Sequence, residues 1–168
     1  ITRYEEGTAT LDERIAAAER AASAGYYLAF HFDPVIRYPG FMDEYHAVID
    51  RIFTAVDHSR VVWISLGCFR YSPGFKDIIR ESFTAARMTL EEMFSGPDGK
   101  SRYLMNERAA VYRSLLERIR SHTEYPFVYM CMETSAMWKK VFDMDLSSSD
   151  ELEIVFSNHL RRMFHGVG

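Results

Sequence analysis

The chain alternates between short continuous apolar runs and longer stretches in which apolar residues recur every three or four positions. The continuous runs predict four strands, at residues 26–32, 60–68, 88–94 and 127–132. The stretches with helical spacing predict helices at residues 10–24, 45–56, 75–83, 106–119, 135–142 and 149–164. Because the strands alternate with helices and are apolar on both faces, the pattern indicates an α/β fold with a mainly parallel sheet, in one domain spanning residues 1–168.

Polar residues mark the predicted boundaries of several elements. Two capping boxes, each a hydroxyl followed three positions later by an acid, are predicted at Thr10–Glu13 and Ser148–Glu151. Asn106 is the predicted cap of the fourth helix. Pro97–Lys100 has the composition of a tight turn, so we expect the chain to reverse direction there.

Composition narrows the class of protein. The chain has 168 residues, 48 % of them hydrophobic, and a net charge of −4, which gives no support for broad affinity to nucleic acid or membranes. No apolar run approaches the ~20 residues of a membrane span. The two cysteines, Cys68 and Cys131, lie in apolar runs and indicate reduced, buried thiols and a cytoplasmic location. The six histidines have no ligand-like spacing, so no metal site is predicted.

Polar side chains gather where the predicted strands end, whereas the starts of the strands carry plain residues. The carboxyl ends of parallel strands meet at one edge of a sheet, where ligands bind. We therefore expect a functional edge built from residues at these strand ends. They are His31, Asp33, Ser65, Cys68, Arg70, Tyr71, Arg102, Tyr103, Glu133, Thr134 and Ser135.

Each of these candidates also has a purely structural interpretation. His31 and Asp33 alternate onto one face of a strand and could be a hydrogen-bonded pair that ends it. Arg70 could be the partner of a surface ion pair. Glu133 precedes two hydroxyl residues and could belong to a helix cap.

Four segments of the chain match one family in register. They are GTATLDERIAAAERAASAGYYLAFHFDP, WISLGCFRYSPGFKDIIRE, GPDGKSRY followed by ERAAVYR, and PFVYMCMETSAMWKKVF. In this order they resemble the C-terminal half of the spore photoproduct lyase family, within the radical S-adenosylmethionine enzymes, and look closer to its branch of lyase-like proteins. The resemblance runs from about Gly7 to Phe142.

The resemblance implies a portion of a partial (β/α) barrel similar to a TIM barrel. The family's N-terminal half carries a Cys-x-x-x-Cys-x-x-Cys loop that binds a [4Fe-4S] cluster, and this sequence has no such loop. It therefore implies a full-length protein that binds the cluster and S-adenosylmethionine, of which this chain is a piece. Ile1 in place of an initiating Met would fit that expectation. We expect the chain alone to bind neither cofactor, to be inactive, and to have the missing N-terminal half as its partner.

The resemblance also suggests where ligands are bound, although it assigns no catalytic residue. His31 and Asp33 match the strand end that lines the S-adenosylmethionine pocket; the lyases carry apolar residues there, so the substrate stays open. Arg102 and Tyr103 match the Arg-Tyr pair of the β-hairpin that reaches the DNA lesion, where a guanidinium suits phosphate and a ring suits stacking. The alternative is a solvated hairpin with a packed tyrosine.

Two functions follow from the sequence. In the first, the chain belongs to a radical enzyme for DNA photoproduct repair or related chemistry on nucleic acid, with Arg70 and Glu133 adding substrate contacts. In the alternative, it is a non-catalytic α/β module that binds a ligand or partner through the same edge. Because half a barrel exposes a sheet edge, we also expect either a homodimer or a helix at residues 149–164 that covers the edge.

Overall fold

The computed structural model describes residue 5 and residues 7–83 and 88–165, in which helices and strands alternate. The helices are α1 Leu11–Ser23, α2 Phe41–Ala55, α3 Phe75–Ser82, α4 Met105–His122, α5 Ser135–Phe142 and α6 Ser149–His165. The strands are β1 Leu28–Val35, β2 Val61–Cys68, β3 Arg70–Tyr71, β4 Phe94–Ser95, β5 Ser101–Arg102 and β6 Phe127–Met130. None of the helices in these ranges is both long enough and apolar enough to cross a membrane.

A three-stranded parallel sheet organises the chain. Its central strand β2 pairs with β1 on one side and with β6 on the other. β2 is buried along almost its whole length, whereas β1 exposes His31 and Asp33. Helices connect the parallel strands, so the predicted α/β fold with a parallel sheet is confirmed.

The two faces of this sheet have different neighbours, because side chains alternate along each strand. Ile64 and Val128 belong to the hydrophobic core that also contains buried residues of α2 and α4. On the opposite face, the rings of Trp63 and Phe127 lie 5.4 and 5.2 Å from that of Phe156 in α6, measured between centroids. α6 thus packs across this second face, and the predicted homodimer or covered edge stays a prediction.

A second, antiparallel sheet extends from the carboxyl end of β2. Its strand order is β3-β5-β4, and β4 and β5 are the arms of a hairpin around the predicted turn Pro97–Lys100. The predicted strand at residues 88–94 is wrong except at its last residue, because only Phe94 pairs, with Arg102. A strand needs a partner, and β5 supplies only two residues.

The predicted helix caps are right at α1 and wrong at α4. The Glu13 N–H donates to the Thr10 hydroxyl at 3.2 Å and the Glu13 carboxylate accepts from the Thr10 N–H at 2.7 Å, which completes the capping box. α4 begins at Met105, one residue before the predicted cap Asn106. Leu104 takes the cap position because its extended backbone presents the carbonyl that accepts the first helical bond.

The second predicted capping box is only half formed. The Ser148 hydroxyl accepts from the N–H of Glu151 at 3.3 Å, as a cap should. The Glu151 carboxylate, however, accepts from the N–H and hydroxyl of Ser147. The reciprocal bond is therefore displaced by one residue.

Candidate functional site

The second face of the parallel sheet carries several residues predicted at strand ends. α6 contacts this face at Trp63 and Phe127, but His31 and Asp33 are exposed on it, and it is here called the open face. Its members are Ala29, His31, Asp33, Trp63, Ser65, Gly67, Phe127, Tyr129 and Cys131. His31, Ser65 and Tyr129 form one row across β1, β2 and β6. Ser65 is 1 % exposed, and its hydroxyl has no hydrogen-bond partner among the described residues. An unsatisfied buried hydroxyl is costly, so this row offers a polar group that a ligand or water would satisfy.

Asp33 lies nearer the carboxyl edge, directly over Gly67. A Cβ at Gly67 would overlap the Asp33 carboxylate, so only glycine leaves room for this side chain. Burial, and then the hydrogen bond to Asp33 and its negative charge, raise the pKa of the Cys131 thiol to about 11. The thiol therefore stays protonated at neutral pH, and Asp33 is held between a glycine and a weak donor.

Glu133, which follows β6, belongs to a buried ion pair. Its carboxylate accepts from Nε of Arg108 at 2.8 Å and from Nη2 at 3.2 Å, and both side chains are 6 % exposed. The Tyr112 hydroxyl donates to the same carboxylate at 2.8 Å. Both oxygens of the Glu133 carboxylate therefore accept hydrogen bonds from side chains of α4.

The same network reaches the ends of two strands. The Tyr112 hydroxyl accepts from the backbone N–H of Cys68 at 2.9 Å, and Arg108 Nη1 donates to the carbonyl of Tyr103. Burial raises the pKa of Tyr112 and raises that of the Cys68 thiol to about 12. The network thus ties the end of β2, the loop after β6 and the residue after β5 to one helix.

The hairpin carries Arg102 on its inner strand. The Arg102 guanidinium lies against Gly96, where a Cβ would overlap it, and Nη2 donates to the Asp98 carboxylate. Arg70 is the cross-strand partner of Arg102, and its Nη1 lies 3.8 Å from the other Asp98 oxygen. Two guanidinium groups therefore converge on one carboxylate in the turn.

Tyr103 is fully buried, at 0 % exposure. Its hydroxyl accepts from the backbone N–H of Arg37 at 3.2 Å, and the Arg37 guanidinium lies 5.2 Å from its ring centroid. Burial raises the pKa of its hydroxyl to about 12. Tyr103 is thus a packed tyrosine at the base of the hairpin, and its contact with substrate stays a prediction.

The structure brings the six candidate residues together in three groups. His31 and Asp33 share the open face, and Arg70 and Arg102 share the antiparallel sheet. Tyr103 and Glu133 share Arg108 as a partner: Arg108 donates to the carbonyl of Tyr103 and to the carboxylate of Glu133.

Sequence reasoning did not identify three of the partners. Asp98 pairs with Arg102 because the hairpin folds back, and Arg108 pairs with Glu133 because α4 packs against the loop after β6. Neither pairing can be read from the local sequence. Tyr129 had a signal, because it alternates with the apolar residues of β6 and lies beside Ser65.

The cysteines do not fit the ligand set of an iron–sulfur cluster. Cys68 faces the helices and Cys131 lies on the open face, and burial raises the pKa of both thiols, whereas a ligating sulfur must be deprotonated. Within the described ranges, no group of three or more His, Cys, Asp or Glu side chains could hold a metal ion.

Comparison with known proteins points to one family. The family model described as spore photoproduct lyase matches residues 1–128. The chain is 28 % identical over 129 residues to a spore photoproduct lyase of Geobacillus sp. (strain Y412MC61), covering 73 % of this chain and 37 % of that protein. It is 29 % identical over 94 residues to that of Bacillus subtilis (strain 168), covering 55 % of this chain and 28 % of that protein.

Solved structures give the same result. A spore photoproduct lyase complexed with dinucleoside spore photoproduct matches with a TM-score of 0.68 and 25 % identity, over 78 % of this chain and 41 % of that one. A mutant spore photoproduct lyase with bound AdoMet and dinucleoside spore photoproduct matches with a TM-score of 0.66 and 24 % identity, over the same shares. The chain thus spans about two fifths of the length of these structures, and its fold is consistent with part of a barrel.

Proposed function

Because the chain belongs to the spore photoproduct lyase family, we propose that it is the C-terminal part of a radical S-adenosylmethionine enzyme that acts on a nucleic-acid photoproduct or a related lesion. The observation that carries this proposal is the family match over residues 1–128, which include β1, β2 and the hairpin. The polar members of the open face and the paired arginines of the hairpin lie at the carboxyl ends of these strands, where parallel α/β folds bind ligands.

The open face suits S-adenosylmethionine, which one related structure holds as AdoMet. We assign His31 and Asp33 to this cofactor; the buried, unsatisfied hydroxyl of Ser65 lies on the same face of the sheet. The Asp33 carboxylate, which Gly67 leaves room for, can accept from the ribose hydroxyls or the ammonium group. When bound to a cluster, S-adenosylmethionine supplies the radical that starts the reaction. We place the [4Fe-4S] ligands in the part of the enzyme that this chain does not contain.

The hairpin would bind the substrate. We assign Arg70 and Arg102 to direct contact, since guanidinium groups match the oxygens of a phosphodiester. Tyr103 and Glu133 act through the position of the hairpin. Tyr103 is buried, the side chain of Glu133 is 6 % exposed, and both residues bind Arg108.

This function is tested by Arg102→Ala in the complete protein, reconstituted anaerobically with iron and sulfide. We expect about tenfold weaker binding of an oligonucleotide that contains a thymine photoproduct, with unchanged cluster absorbance. Arg51→Ala is the matched control, because Arg51 is a surface arginine paired with Asp12 on α1. Binding is measured by fluorescence anisotropy, cluster content by visible absorbance, and product by chromatography.

Each outcome separates the two functions considered. Weakened binding in Arg102→Ala alone, together with conversion of the photoproduct by the reconstituted protein, supports the enzyme. A protein that assembles no cluster and converts no photoproduct would contradict it and would favour a non-catalytic binding module.

A further inference from the structure

The charges of the hairpin are not balanced. Arg70 and Arg102 stand opposite each other on β3 and β5, and Asp98 is the one carboxylate within ion-pair distance of either among the described residues. Two unit positive charges therefore meet one negative charge, before the neighbouring Lys100 is counted.

Arg102 also has unused hydrogen-bonding capacity. It is 8 % exposed, and its Nε is buried with no hydrogen-bond partner in the described part of the chain. A buried, charged N–H group without an acceptor is costly, and an incoming anion would remove that cost.

Other arginines at this end of the molecule have their own acids. Arg37 pairs with Glu107 at 2.6 Å, and Arg108 has a two-point contact with Glu133. The sharing of one carboxylate, Asp98, by two arginines is therefore specific to the hairpin and does not reflect a general excess of arginine at this end of the molecule.

We propose that Asp98 is an internal substitute for the ligand of the arginine pair, which occupies Arg70 and Arg102 until a phosphodiester displaces it. This inference rests on the proposed function for its substrate class. A carboxylate and a phosphodiester each present two oxygens and one negative charge, so either can occupy the guanidinium pair, and they compete. Asp98 is 43 % exposed and lies in the turn of the hairpin, from which its side chain can swing into solvent.

The site adjoins the open face. Arg70 begins β3 two residues after Cys68, the last residue of β2, and β2 carries Ser65 and Gly67 on the open face. The positive charge of Arg70 also lowers the pKa of Cys131, whose thiol bonds to Asp33, although burial and Asp33 outweigh this effect. A nucleic-acid strand held by Arg70 and Arg102 would therefore pass beside the residues assigned to S-adenosylmethionine. Asp98 then tunes how tightly the strand is held.

The experiment measures binding of fluorescein-labelled single-stranded oligothymidylate to the complete protein by anisotropy. Asp98→Asn keeps an oxygen that can accept from the Lys100 N–H, as Asp98 does at 3.2 Å, but removes the competing charge. We expect Asp98→Asn to bind the oligonucleotide about tenfold more tightly than the wild type, since an unpaired guanidinium is then available. Asp12→Asn is the matched control, because Asp12 pairs with Arg51 elsewhere on the surface.

A methylphosphonate oligonucleotide has the same bases without backbone charge and is the second probe. The inference requires that the gain of Asp98→Asn vanish with this probe and in the double variant Arg70→Ala/Asp98→Asn. An equal gain in Asp12→Asn, or no gain in Asp98→Asn, would overturn it. That result leaves the proposed function intact if the same preparation converts the photoproduct, so the two failures can be told apart.

Discussion

Two arginine clusters lie at the same end of the molecule and differ in how their charges are matched. Arg108 and Glu133 form one pair, with both side chains 6 % exposed and two direct hydrogen bonds. Arg70 and Arg102 share Asp98, whose side chain is 43 % exposed. The first cluster is complete and closed to solvent, whereas the second is incomplete and open.

This difference in exposure and charge balance distinguishes a cluster suited to supporting the fold from one suited to binding a ligand. A buried ion pair whose polar atoms all have hydrogen-bond partners has no free group with which to bind a ligand. Removing one member of such a pair leaves an uncompensated buried charge. A half-exposed acid between two arginines costs little to displace. The sequence suggested substrate contacts for Arg70, Arg102 and Glu133 alike. We propose that Glu133 supports the fold, because both of its carboxylate oxygens accept hydrogen bonds from α4.

The largest effect is expected from Glu133→Ala. Because Arg108 would remain buried without its partner, we expect a loss of about 3–5 kcal/mol in the free energy of unfolding. Urea denaturation of the complete protein, followed by circular dichroism, measures this loss.

Glu107→Ala is the control for that prediction, since Glu107 pairs with Arg37 in a more exposed setting, at 38 % side-chain exposure. It should cost less than about 1 kcal/mol. Equal losses in the two variants would show that burial does not set how much the Arg108–Glu133 pair contributes to stability.

Much of the fold was predictable because it depends on local patterns. The apolar runs of β1, β2 and β6 and the helical spacing between them were enough to predict a parallel α/β sheet. The strand predicted at residues 88–94 was wrong because an apolar run becomes a strand only where another strand pairs with it. Within this run, only Phe94 is paired. The cap predicted at Asn106 was wrong because the backbone conformation decides where a helix begins. At α4 this places the cap at Leu104, although the side chain of Asn106 is the better capping group.

The candidate site was predictable only as a set of strand ends. Alternation placed His31 and Asp33 on one face, and the turn at Pro97–Lys100 predicted the hairpin that carries Arg102. The pairing of these residues could not be predicted. Arg70 lies opposite Arg102 because β3 and β5, which are far apart in the sequence, pair in one particular register. The burial of Tyr103 likewise depends on how β5 and α4 dock.

A smaller effect is expected from Gly96→Ala, which disturbs the open cluster. The new methyl group would overlap the Arg102 guanidinium, so the side chain must leave its place beside Asp98. Because the guanidinium is the far end of a flexible side chain and can shift, we expect less than about 1 kcal/mol of destabilisation, which comes from the weakened pair with Asp98. The measurement is the same urea denaturation.

The double variant Gly96→Ala/Arg102→Ala tests the cause of that loss. Without the long side chain the methyl group meets no obstacle, so Gly96→Ala should cost much less in the Arg102→Ala background than in the wild type. A loss that is the same in both backgrounds would place the strain in the backbone of the turn and would leave Arg102 uninvolved.

The smallest effect concerns Asp98 and appears as a pH dependence. Desolvation acts to raise the pKa of Asp98, but hydrogen bonds from the Lys100 N–H and from Arg102 prevail and lower it. A carboxyl whose folded pKa lies below its unfolded value, about 3.9, stabilises the fold above that value and loses the effect as pH falls through the folded pKa. The melting temperature of the wild type should therefore exceed that of Asp98→Asn near pH 6, and the gap should close as pH falls through the lowered pKa of Asp98. Added salt should narrow the gap too, because this carboxylate is open to solvent. A gap that stays constant with pH would mean that Asp98 is not coupled to the arginines, and the second cluster would then have no charge for a phosphodiester to replace.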